Sequence, residues 1–263
     1  MSCFLKVTDL SKAFRQKAVF SNLNLEIERG EIYGLVGNNG SGKTTLLRVI
    51  AGMLKQDSGE VCFADKNVKI GVLIENPGLF RDMTAYENLK AKALCIGYNC
   101  NTNMLLNLLE LVGLGDVGKK LVLKFSMGMK QRLGLALALL GDPDFLVLDE
   151  PMAGLDPVGR EEILSLIRQL NAEGTTIVMV SHSMDDIARL CDRVLVVNES
   201  HMLMLGTPSE VYSRSEELVK VGLGLPSAAK LSGLLREKGL ALPEGIFRQE
   251  QLETLLIERW EHA

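Results

Sequence analysis

No apolar run in the 263-residue sequence approaches the length of a membrane span: the longest, LGLALALLG at 133–141, falls far short of the ~18 residues a crossing helix needs. The opening MSCFLKVTDL has no secretory-leader pattern, so the chain is expected to stay in the cytoplasm. Paired cysteines are also missing. Cys3, Cys62, Cys95, Cys100 and Cys191 are odd in number, scattered and without CxxC spacing, which argues against a disulfide framework and a zinc site. There is no Lys/Arg-rich block and the net charge is −4, so no nucleic-acid partner is expected. The chain also lacks an internal repeat and any low-complexity segment.

What is present is an ordinary globular composition, 47% apolar and 24% charged, long enough for one sizeable core with an appendage. Alternation in FLKVTDL and LNLEI predicts two early antiparallel strands. The runs IYGLVG, FLVLDE and TIVMVSH read as short strands buried on both faces, the pattern of a largely parallel sheet between helices. After Lys43, the residues Leu46, Leu47, Ile50, Met53 and Leu54 recur at helical spacing. From Met83 to about Gly141 no strand is evident, and the Leu, Ala and Met content predicts a helical insertion. RVLVVNES with MLMLG predicts a closing hairpin. From about Leu218 two amphipathic helices are expected, one carrying Ala228, Leu231, Leu234 and Leu235, the other Leu252, Leu255, Leu256 and Trp260.

The segment Gly37-Asn38-Asn39-Gly40-Ser41-Gly42-Lys43-Thr44 fits GxxxxGK[ST], between a predicted strand and a predicted helix. Glycines there let successive backbone N–H groups curl around a phosphate, and the helix N-terminus adds positive potential. Lys43 can reach the terminal phosphates and the Thr44 hydroxyl can ligand Mg²⁺. FLVLDE ends a buried run on two adjacent acids, a costly arrangement unless a cation relieves it. If its strand neighbours the phosphate-loop strand, Asp149 becomes a direct or water-mediated magnesium ligand and Glu150 the acceptor of a proton from water attacking a γ-phosphate. TIVMV ends on Ser181-His182, which brings a histidine to the same sheet edge, where it can orient that water. Ser126, ahead of LGLALALL, is expected to cap a helix whose N-terminus is open to an anion.

Together, the phosphate loop, FSMGMKQR at 125–132, FLVLDEP, Gly154-Leu155-Asp156 and Ser181-His182 resemble, in order and spacing, the ATP-binding subunit of an ATP-binding cassette (ABC) transporter, over about residues 3–215. The resemblance implies an α/β fold: a P-loop NTPase (RecA-like) core with an antiparallel β subdomain, a helical insertion at about 83–141, and a C-terminal helical extension at 218–263 beyond an ATP-binding domain at 1–217. It implies transport-coupled hydrolysis of ATP with Mg²⁺. The implied nucleotide contacts are Phe14, stacked on adenine, and Gly37, Asn38, Asn39, Gly40, Ser41, Gly42, Lys43, Thr44 and Thr45. Ser126 and Gly128 would meet the γ-phosphate held by another protomer, Asp156 would lie in a dimer-contacting loop, and His182 would be the switch histidine. The implied partners are separate transmembrane subunits and a second ATP-binding chain, identical or different, at the cytoplasmic face of the membrane.

The sequence departs from the family pattern in three places. The usual LSGGQ is FSMGM, the Q-loop glutamine is Glu75, and Met152-Ala153 follow DEP. Glu75 would add a second carboxylate beside Thr44 and Asp149 near Mg²⁺, with a role in both metal binding and catalysis. IGVLIENPGLF and GMKQRLGLALALLGDPDFLVLDEP are similar to the ATPases of bacitracin and lantibiotic self-protection exporters. AGLDPVGREEIL and the segments from VSHSMDD to GLALP are similar to the ATPases of energy-coupling-factor importers of vitamins and cobalt or nickel, with a seam near 150–156. The leading reading is a peptide or antibiotic exporter ATPase. An energy-coupling-factor importer ATPase and a soluble ABC-type clamp without transport are the alternatives.

Overall fold

The computed structural model describes residues 3–15, 17–74 and 77–261. The chain begins with β1 (Cys3–Phe14), β2 (Lys17–Glu28) and β3 (Ile32–Gly37), then α1 (Lys43–Ile50), β4 (Ser58–Phe63) and β5 (Ile70–Leu73). Helices α2 (Ala85–Cys95), α3 (Thr102–Leu111) and α4 (Met127–Leu139) make the insertion. The chain continues through β6 (Phe145–Asp149), α5 (Pro157–Ala172), β7 (Thr176–Val180), α6 (Met184–Leu190), β8 (Arg193–Asn198) and β9 (His201–Gly206). It ends with α7 (Pro208–Ser213), α8 (Ser215–Lys220), α9 (Ser227–Glu237) and α10 (Gln249–Glu261). The fold is the expected mixed α/β one.

A three-stranded antiparallel sheet is ordered β2-β1-β4, and a six-stranded sheet β5-β6-β7-β3-β8-β9, parallel except for the β9 edge. The period of two in the buried strands sorts side chains to two faces. Phe145, Val147, Val178 and Val180 face Leu46, Leu47 and Ile50 of α1 together with Phe4, Leu5 and Leu25 of the antiparallel sheet. Their neighbours Leu146, Leu148, Ile177 and Met179 face α4, α5 and α6 through Leu133, Ile163, Leu164 and Ile187. Continuous apolar runs are therefore what this sheet requires, because both faces are covered.

Helix starts follow local chemistry. Thr84 and Glu87 form a capping box on α2, Asn101 caps α3, Ser126 caps α4, and Asp156 with Pro157 opens α5. α1 ends earlier than the apolar spacing indicated. Gly52, at φ 70°, turns the chain after Ile50, and Met53 is left exposed.

The adjacency on which the reading of Asp149 was conditioned, its strand beside the phosphate-loop strand, is not met. β7 lies between β6 and β3. The strand ending at Ser181-His182 is the true neighbour, and Asp149 comes from one strand further on.

At the C-terminus, Ala228, Leu242, Ile246 and Leu252 form a small core of their own, with Leu235, Leu255 and Leu256 against it. Leu231, Leu234 and Trp260, expected on the buried stripes, are exposed, Trp260 at 87%. The 217/218 division falls inside α8. Leu218, Leu223 and Phe247 are buried in the large core, Phe247 beside Tyr212 with ring centroids 5.9 Å apart.

Candidate functional site

The C-terminal ends of β3, β6 and β7 open on a cavity of about 670 Å³. Phe14, Asn39, Gly40, Gly42, Lys43, Thr44, Thr45, Asp149, Glu150 and His182 line it. Residues separated by more than a hundred positions meet here because parallel strands deliver their ends to one edge of the sheet.

The loop after β3 is built on glycine at the positions that need it. A Cβ on Gly37 would meet the Val197 carbonyl at 2.3 Å, and one on Gly42 would meet Val19 at 2.7 Å, with φ at 99°. Gly42 precedes α1 without capping it by a side chain, so the first N–H groups of the helix face the loop. Lys43 is buried, and its ammonium donates to the carbonyls of Gly37 at 2.7 Å and Asn38 at 2.9 Å. Burial pulls this lysine below its ordinary value, opposed by the charges of Asp149 and Glu150. Gly37, Asn38 and Ser41 belong to the loop but do not line the cavity; the Asn38 amide instead donates to the Val221 carbonyl at 2.7 Å.

The Thr44 hydroxyl donates to Asp149 Oδ2 at 2.7 Å, closing the distance that β7 inserts between β3 and β6. This hydroxyl and carboxylate are a hard oxygen donor pair. They suit Mg²⁺, which is usually held by one or two carboxylates together with substrate phosphates. No cluster of three or more His, Cys, Asp or Glu side chains with metal-site geometry occurs among the described residues. Glu75, the other expected carboxylate, lies outside the described residues.

Glu150 follows Asp149 in a left-handed conformation, φ 51°, which turns its carboxylate away from the strand direction. One oxygen, Oε1, is buried without a hydrogen-bond partner and lies 3.5 Å from His182 Nε2. Burial pushes this carboxyl up, and His182 opposes that most. A carboxylate that lines the cavity, partly desolvated and with Oε1 free of any hydrogen bond, is suited to accept a proton from water held there. His182 is more than half exposed and sits at the mouth of β7.

Phe14 is half exposed at the cavity rim, with the Lys12 ammonium 5.5 Å from its ring centre. Asp57 holds this turn by accepting from Lys12 Nζ at 2.6 Å and the Ala13 amide at 2.7 Å. Ser126 and Gly128 are not among the residues lining the cavity. Ser126 Oγ accepts from the Met129 amide at 3.2 Å, and Gly128 packs on Gly154 and Leu155.

Sequence reasoning missed Gln131, which lines the cavity and donates from Nε2 to the Glu150 carbonyl at 2.9 Å. Its position within FSMGMKQR, on a helix whose cap had been identified, was the available signal. Lys17, Val19 and Ser200 also line the cavity without any sequence signal.

The ABC transporter family profile matches residues 20–153. The lantibiotic transport ATP-binding protein of Streptococcus pyogenes is 36% identical over 220 residues, covering 81% of this chain and 93% of that protein. The bacitracin transport ATP-binding protein of Bacillus licheniformis is 42% identical over 213 residues, covering 77% and 69%. An energy-coupling factor transporter ATP-binding protein of Clostridium perfringens is 35% identical over 277 residues, covering 97% of each. Among solved structures, an ATP-binding subunit of an ABC transporter aligns with a TM-score of 0.72 at 27% identity, covering 82% of this chain and 94% of that one.

Proposed function

The chain belongs to the ABC transporter family, as an ATP-binding and ATP-hydrolysing subunit, and we propose that it powers export of a peptide or antibiotic through separate membrane subunits. The observation that carries the chemistry is the convergence of Lys43, Thr44, Asp149, Glu150 and His182 on one cavity at the sheet edge. Lys43 and the loop amides bind the β- and γ-phosphates, and Phe14 receives the adenine. Thr44 and Asp149 would hold Mg²⁺, a role the sequence assigns to Glu75 as well; when bound, the ion would screen charge on the phosphates. Glu150 accepts a proton from the attacking water as the bond from water oxygen to γ-phosphorus forms and the bridge to ADP breaks. His182 orients that water and the γ-phosphate.

Ser126 and Gly128 complete the site of a second ATP-binding chain, so ATP holds two chains together and hydrolysis releases them. No helix among the described residues is long and apolar enough to cross a membrane. A separate membrane subunit fits the groove of about 630 Å³ between β5, α2 and α4, whose lining includes the exposed Met53, Phe80 and Ile96. That groove lies in the half of the chain that carries the exporter-like segments IGVLIENPGLF and GMKQRLGLALALLGDPDFLVLDEP. A second reading, an energy-coupling-factor importer, is favoured by an alignment that runs through the C-terminal extension as well.

The site assignment is tested with the purified protein. Glu150→Gln should lower kcat for ATP hydrolysis by at least about 100-fold and leave ATP binding intact. Lys43→Ala should lose tight ATP binding. Equal turnover by wild type and Glu150→Gln would contradict the assignment of the base.

A further inference from the structure

The backbone of Glu150 is held by three hydrogen bonds. Its amide donates to the Val180 carbonyl at 3.0 Å, and its carbonyl accepts from the Ala153 amide at 3.0 Å and from Gln131 Nε2 at 2.9 Å. Two of these belong to the neighbouring strand and to the local turn. The third comes from α4, nineteen residues away in sequence. A non-glycine residue at φ 51° persists only where its surroundings over-determine it, and residue 151 is a proline with no amide to help. Gln131 is the one side chain in this set of bonds. It is itself buried, at 6% exposure, so its amide has little water to turn to.

α4 has contacts at both ends that bear on function. Its first residues follow Ser126 and pack on Gly154 and Leu155 through Gly128. Further along, it lies against β5 and the chain leaving that strand. A Cβ on Gly134 would meet Leu73 at 2.7 Å and Pro77 at 2.8 Å, and one on Gly71 would meet the Ala138 carbonyl at 2.2 Å. Such close contact leaves no slack for the helix to shift without moving its neighbours.

We propose that Gln131 is a positioning residue for Glu150: its side-chain amide fixes the peptide that aims the Glu150 carboxylate, and so ties the geometry of the base to the placement of α4. This rests on Glu150 being the base. Displacement of α4 by a partner bound in the β5–α4 groove, or by a second chain at the Ser126 end, is then transmitted to the base through one hydrogen bond.

Gln131→Met keeps the length and removes the donor; Gln131→Glu keeps the shape, replaces the donor with an acceptor and adds a charge. Each should lower kcat for ATP about tenfold and the thermal transition by only a few degrees, and Gln131→Met should leave KM and nucleotide affinity within about twofold of wild type. In the Glu150→Gln background the same substitutions should cost nothing further, because a residue acting through the base has no effect once the base is gone. Wild-type kcat in both single variants overturns the inference, as does an equal fractional loss in both backgrounds. Loss of the thermal transition in both also overturns it, since Gln131 would then be a packing residue. If Glu150→Gln turns over like wild type, the base assignment fails and takes this inference with it; a slow Glu150→Gln beside fully active Gln131 variants removes Gln131 alone.

Discussion

Glu150 combines two unfavourable features, a left-handed backbone and a buried carboxylate oxygen without a partner. Each costs on the order of 1–3 kcal/mol, and neither improves packing. Sites that keep such residues do so for chemistry. Glu150→Gly should therefore raise stability by about 1 kcal/mol in urea denaturation while abolishing turnover, since glycine adopts φ 51° freely and leaves no carboxylate to desolvate. The FLVLDE run predicted a costly pair of acids, and that was legible. The positive φ was not, because nothing in a Glu-Pro dipeptide demands it; it comes from the turn that Ala153 and Gln131 close around the carbonyl.

Among the elements, α4 is held by close contact with β5. Its carbonyl at Ala138 leaves no room for a side chain at Gly71 of β5. Gly71→Ala, at a position where the backbone conformation itself tolerates alanine, should cost about 2–3 kcal/mol in urea denaturation, because the added methyl meets backbone rather than a flexible side chain. The helical character of α2 to α4 was readable from composition, with the Ser126 cap for α4, and the three strands of the site from their apolar runs. Strand order was not readable. Nothing in FLVLDE or TIVMV states which of them lies beside IYGLVG, since all three are buried on both faces and pair equally well by pattern.

For the whole molecule, the small core of α9 and α10 is secondary to Phe247 and Leu223, which anchor the C-terminal segment into the large one. The Asn38 to Val221 bond and the two bonds from Ser227 to Asp185 place this segment against both the phosphate loop and the helix that follows His182. The division at 217/218 remains our proposal for the domain boundary, with α8 shared across it. As a transporter subunit, the chain should co-purify from membranes with a polytopic partner. Replacement of Phe80 and Ile96 by Asp should abolish that association and leave ATP binding unchanged. Persistence of the complex would move the partner off this groove.

The sequence alone determined which residues are candidates for the chemistry: a phosphate loop, two acids and a histidine each stand where a strand ends, and strand ends are readable from local pattern. Only the tertiary structure decided how they meet. The β7 strand enters between the other two, Thr44 bridges to Asp149 across it, and Gln131 reaches from α4 to the carbonyl of Glu150. The reason is physical: buried parallel strands carry little information about their neighbours, and a hydrogen bond between residues distant in the chain exists only after packing has brought them together.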